Sequence, residues 1–232
     1  MCSNFRFAIW GPIFAGELAF VISQFFATQR NSPLASQIQK MSAPFVVAQL
    51  LQTLWCASFR PKYTGNLLWI STGMLGGVAY NLSKAHSVFT AGKIAVSWWE
   101  YAIHFLPISL HFGWTTAATL VNLNGAVAVV DENNISSGQN TGNSLLNFVG
   151  HASVLAATAL GVVITFSRQA PVYGGVISWA LFAVADGMRQ RLSQIGSNGN
   201  SIGAERQLIL STVGAYVTGL ASCTVGLMSF WK

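Results

Sequence analysis

Charge is what this chain has least of. Only 8% of its 232 residues are Asp, Glu, Lys or Arg, against about a quarter in an ordinary soluble domain. So few charges cannot cover a water-facing surface, and lipid must replace water over much of the outside. The 12 basic and 6 acidic residues are spread thinly. No basic cluster interleaves with aromatics, which excludes the usual nucleic-acid footprint. Lys and Arg fall instead where helix ends let them snorkel to headgroups. Cysteine is equally sparse: Cys2, Cys56 and Cys223 stand alone, with no CxxC or metal-ligand spacing. Cys56 and Cys223 lie in apolar runs and are expected to be small packing residues. There is no HExxH, phosphate loop or nucleophile–base pattern, so an enzyme is not expected and no catalytic residue is assigned. A signal-peptide cleavage pattern is also missing, and the first apolar stretch suits a span.

What is present is apolar sequence. Hydrophobic residues make up 52% of the chain, and mean hydropathy is +0.49. Runs of bilayer length cover 7–28, 43–59, 66–83, 106–130, 145–166, 172–188 and 207–231. They predict an all-α polytopic transmembrane bundle of about seven spans, one integral-membrane domain over 1–232. Polar linkers are expected at 29–42, 131–143 and 189–206, and Arg60-Pro61-Lys62 stops the second span. Residues 93–104 carry Trp98, Trp99, Glu100, Tyr101 and His104, and predict a short interfacial helix entering the membrane near Pro107. Lys and Arg divide six against six between alternate sides, so the positive-inside rule assigns no orientation. Gly73 with Gly77, and Ala215 with Gly219, have the spacing of close helix packing. Asn134-Ile135-Ser136 is a formal glycosylation sequon, expected in a loop.

Polar groups inside spans are costly and mark candidate sites. Glu17 lies midway along the first span, as a paired structural carboxyl or a ligand contact. Gln49 and Gln52 lie in the second, where interhelical hydrogen bonds serve as well as a ligand. His104 and His111 are seven apart and share a face if the helix continues past Pro107. A neutral imidazole can ligate a tetrapyrrole metal, which makes His86, His104, His111 and His151 candidate axial ligands. Hydrogen-bonded packing is the plainer use of such scattered histidines. No metal motif is present. Asp186 with Arg189 and Arg191 reads as a charged helix end.

The most specific text is Pro107, Ser109, Gly113, Trp114, Thr116, Ala118, Thr119 and Asn122. In this spacing it resembles the P-x-S-x-x-x-G-W-x-T-x-A-T-x-x-N helix of the TspO/translocator protein family, in its longer tryptophan-rich sensory branch. Phe7-Ala8-Ile9-Trp10-Gly11 with Phe14 is similar to the family's F-A-I-W-G opening. Gln52 with Trp55 and Phe59 resembles its N-x-x-W-x-x-x-F, and Tyr173 to Leu181 its Y-x-x-x-x-x-W-A-L. The resemblance spans about 7–187, with a TspO-like core over 7–130 and additional helices over 144–231. The chain departs from compact members: it begins near their second helix, and Pro107 lies seven rather than four residues before Trp114.

The resemblance implies an aromatic-lined helical cavity for porphyrin, haem, chlorophyll, sterol or another flat lipid. The implied ligand residues are Trp10, Phe14, Gln52, Trp55, Trp114 and Asn122, joined by Glu17 and His111 as polar residues placed inside apolar spans. The alternative is a structural, pigment-holding subunit of a large photosynthetic or respiratory membrane complex, whose other subunits would be its partners. A transporter is the weakest option, since no inverted repeat is visible. Polar Asn/Ser loops and a start that reads as processed point toward an organelle membrane, thylakoid or mitochondrial, with a bacterial inner membrane as the alternative.

Overall fold

The computed structural model describes residues 8–26, 32–58, 65–92, 97–136, 144–195 and 202–230. Cys2, Phe7, Arg60, Pro61 and Lys62 lie outside them. Seven long helices run through the described residues: α1 (Trp10–Phe26), α2 (Pro33–Ala57), α3 (Leu68–Gly92), α5 (Leu106–Ser136), α6 (Ser144–Arg168), α7 (Pro171–Ile195) and α8 (Ile202–Phe230). Between α3 and α5 lies a three-residue turn, α4 (Trp98–Glu100), and a wide turn, Tyr101–Phe105. No described residue is in a strand. This is an all-α helical membrane bundle. By length and composition, α6, α7 and α8 are each apolar enough to cross a bilayer, and α1 is a shorter apolar helix.

Several helices outrun the apolar stretches that announced them. α2 starts at Pro33 rather than near Ala43, because the Ser32 hydroxyl accepts from the Ala35 N–H and Pro33 takes the first helical position. α5 continues to Ser136, so the backbone of the 134–136 sequon is helical rather than looped. α7 runs to Ile195 and α8 begins at Ile202, well inside the expected 189–206 linker. A 25-residue helix such as α6 is about 37 Å long, and its ends project beyond a hydrocarbon layer of about 30 Å.

The interfacial helix expected before Pro107 is continuous with α5. Ser97 and Glu100 close a capping box: the Ser97 N–H donates to Glu100 Oε2 at 2.7 Å, and the Glu100 N–H to Ser97 Oγ at 3.2 Å. The chain then widens, with the Leu106 N–H bonding the Tyr101 carbonyl. Pro107 has no N–H to continue the ladder, and the wide turn falls immediately ahead of it.

α5 is the centre of the bundle, touching α1, α3, α6 and α7, while α2 lies on α3, and α8 on α6 and α7. Its contact with α1 is close. A Cβ on Gly16 would sit 2.6 Å from Pro107 Cγ, so only glycine fits there. Of the packing pairs in the sequence, Ala215 and Gly219 form a tight seam: Ser178 Oγ of α7 donates to the Ala215 carbonyl at 2.7 Å and presses on Gly219. Gly77 abuts Leu51, but Gly73 has open space beside it. Cys56 and Cys223 are exposed on outer helix faces rather than packed in the core. The α6–α7 link is two residues: Gln169 takes φ +51° and the Ala170 N–H returns to the Thr165 carbonyl.

Candidate functional site

Of the residues singled out in the first, second and fourth spans, Trp10, Phe14, Glu17, Gln52, Trp55, His111 and Trp114 converge on one place, between α1, α2 and α5, and Gln49 makes no side-chain hydrogen bond with them. α1 leans on α5 and reaches α2 through large side chains. Trp10 is the hub. Its ring stacks on Phe14 (centroids 5.1 Å, 15°), lies 5.7 Å from Trp55, and meets Trp114 edge-on at 6.2 Å. Helical periodicity explains the geometry: Trp10 and Phe14 are four apart on α1, and successive turns present them on one face.

Beneath the rings runs a polar line. His111 Nδ1 of α5 lies 2.6 Å from Glu17 Oε1 of α1, and its Nε2 lies 3.4 Å from Gln52 Oε1 of α2. The Gln52 amide nitrogen in turn points to Cys56 Sγ at 3.7 Å. The Glu17 carboxyl and the Gln52 amide between them engage both ring nitrogens of His111. That is how a carboxyl and an imidazole survive at 5% and 0% exposure in the same core.

A second line joins the remaining pair. Trp55 Nε1 donates to Ser71 Oγ at 2.9 Å, and Ser71 donates to Asn122 Oδ1 at 2.8 Å. Ser71, on α3, carried no signal in the sequence; a serine among apolar residues becomes informative only once its partners are placed. Gly16 was missed for the same reason.

One donor in the cluster is unused. Trp114 is 9% exposed, and its indole N–H is buried without a hydrogen-bond partner. Phe14, by contrast, is 44% exposed. The rings contact one another directly, and the aromatic group forms a groove open at Phe14.

The histidines differ in availability. His111 has both ring nitrogens engaged, as does His104, whose Nδ1 lies 2.9 Å from the Glu100 carbonyl and Nε2 3.3 Å from Ser23 Oγ. His104 and His111 do share a face, since both meet α1. His86 Nδ1 approaches Arg168 at 3.5 Å, and His151 Nε2 the Gly203 carbonyl at 3.2 Å. His151 also borders an open cavity of about 240 Å³ with Arg206, Ile209 and Leu210, apart from the groove. Among the described residues no three His, Cys, Asp or Glu side chains are grouped to hold a metal ion. Outside the spans, the Ser97 N–H and hydroxyl hold the Glu100 carboxyl below its ordinary value.

Compared with known proteins, residues 1–216 match a family model described as TSPO-like protein. The match runs past Gly187, where the resemblance in the sequence stops, through α7 and into α8. No curated protein and no solved structure matches the chain.

Proposed function

The chain belongs to the TSPO-like protein family, and from that premise we propose that it binds a flat, largely apolar ligand, a tetrapyrrole or a sterol-like lipid, in the α1–α2–α5 groove without acting on it. The observation that carries this is the unpartnered Trp114 N–H, buried among the rings that contact Trp10. A buried donor left unmade costs about 1–3 kcal/mol. A ligand with an acceptor at its edge would remove that penalty while its faces cover Trp10 and Phe14. Aromatic walls with few placed polar groups suit such a molecule.

The residues fit a ring held by its faces and one edge. They do not fit a ring held by an axial ligand there, because both His111 nitrogens are committed. A tetrapyrrole would supply its own light absorption, and this chain would supply binding and orientation.

The test is an absorption spectrum of the protein purified gently in detergent, followed by titration with a metal-free porphyrin read by tryptophan quenching. A Soret band, or saturable quenching weakened at least fivefold by Trp10→Ala, is expected. A colourless protein whose quenching stays linear in porphyrin would overturn the reading. Native-gel sizing of the same sample addresses the alternative, since migration within a large complex would mark a structural subunit.

A further inference from the structure

Arg168, the last residue of α6, lies outside the groove and has no role in it. A long basic side chain at a helix end is free to reach toward water. This one is pinned. Its two terminal nitrogens donate to the Ser83 carbonyl at 3.0 Å and to Ser83 Oγ at 2.9 Å, both on α3. Its guanidinium carbon stands 5.6 Å over the Phe112 ring, and His86 Nδ1 is 3.5 Å away. Among the described residues no carboxylate forms an ion pair with it; Glu17 pairs with His111, and Glu100 is held by Ser97. The C-terminal dipole of α6 offsets about half a charge at most.

The position is recessed. Ser222 Oγ of α8 donates to the Pro171 carbonyl at the start of α7, which fixes the level of the α6–α7 turn. α8 continues from there to Phe230, and α3 continues past His86 to Gly92. At 1.5 Å per residue these neighbours overrun the turn by about 12 Å and about 9 Å. A cation that no described carboxylate pairs with therefore sits in a notch at one end of a membrane bundle, where the abundant anions are lipid phosphates.

We propose that Arg168 forms the floor of a binding site for the phosphate of an anionic lipid headgroup, drawn into the notch above the α6–α7 turn. A guanidinium has five N–H groups in a fixed fork, and Ser83 takes one from each terminal nitrogen. His86 Nδ1 stands within reach of another on the same nitrogen that bonds the Ser83 carbonyl; the rest remain for phosphate oxygens, and Ser83 and Phe112 hold the fork in place.

The test uses the full chain in neutral detergent. Thermal unfolding is followed with added phosphatidylglycerol, phosphatidylcholine or inorganic phosphate, for the native protein, Arg168→Gln and Arg168→Lys. Phosphatidylglycerol is expected to raise the midpoint by several degrees in the native protein, and the other two additives to leave it in place. The rise should vanish in Arg168→Gln. It should need at least threefold more lipid in Arg168→Lys, since an ammonium cannot fork; this variant decides the matter if Arg168→Gln does not fold. An equal phosphatidylglycerol response in the native protein and either variant overturns the proposal. A rise with inorganic phosphate alone, lost in Arg168→Gln, assigns the site to a free oxyanion and overturns the lipid source.

Discussion

Glu17 and His111, 94 residues apart in the chain, meet at 2.6 Å in the core between α1 and α5. Removing one partner leaves the other buried and alone. His111→Ala is expected to lower stability by about 3 kcal/mol or more, and Glu17→Gln, which keeps a hydrogen bond, by about 1 kcal/mol. Replacing both with Leu should recover most of the loss, because apolar packing substitutes well for a buried pair. Denaturant unfolding in detergent measures all three; a double variant no better than His111→Ala would contradict the pairing.

Gly16 sets how near α1 comes to α5. A methyl group there would strike Pro107 Cγ at 2.6 Å. Gly16→Ala should destabilise by about 1–3 kcal/mol and, by moving α1, shift the emission of Trp10. Unfolding and fluorescence of the same sample check this, and an unchanged protein would mean that Pro107 yields easily.

Trp114→Phe separates binding from folding. It keeps a ring and deletes the unpartnered N–H. Stability without ligand should change by less than about 1 kcal/mol, whereas porphyrin affinity should fall about three- to tenfold. Equal affinity in the two proteins would remove the indole from ligand recognition.

The capping box at Ser97 gives a pH dependence with a definite sign. Bonds from Ser97 hold the Glu100 carboxyl below its ordinary value of 4.5. A carboxyl with a lowered folded value contributes fully above its ordinary value and loses that contribution as pH falls through the folded one. Amide exchange at the start of this helix, corrected for intrinsic rates, should therefore speed up below about pH 4.5 in the native protein. It should stay level in Glu100→Gln, which retains an acceptor but does not titrate; matching profiles would exclude Glu100 as the cause.

The groove was largely legible in the sequence because its members are anomalies there. A carboxyl, an amide and an imidazole in apolar runs have few reasons to exist, and Trp10, Trp55 and Trp114 fall at spacings a family resemblance could anchor. Ser71, Ser83 and Gly16 had no such mark, since a small residue acquires meaning only from what faces it. Hydropathy also misplaced the start of α2 and the end of α7. Gln37, Gln39, Lys40, Gln190 and Arg191 are helical, but no more apolar than a loop. Cys56 and Cys223 were misjudged because an apolar run does not say which of its faces turns outward to lipid.

The two-residue link between α6 and α7 has a consequence for biosynthesis. With only Gln169 and Ala170 between them, the two segments cross in opposite senses as one tight hairpin, which favours their entering the bilayer together. Parity then returns the end of α7 to the side from which α6 set out, placing Arg189 and Arg191 there whichever compartment that side faces.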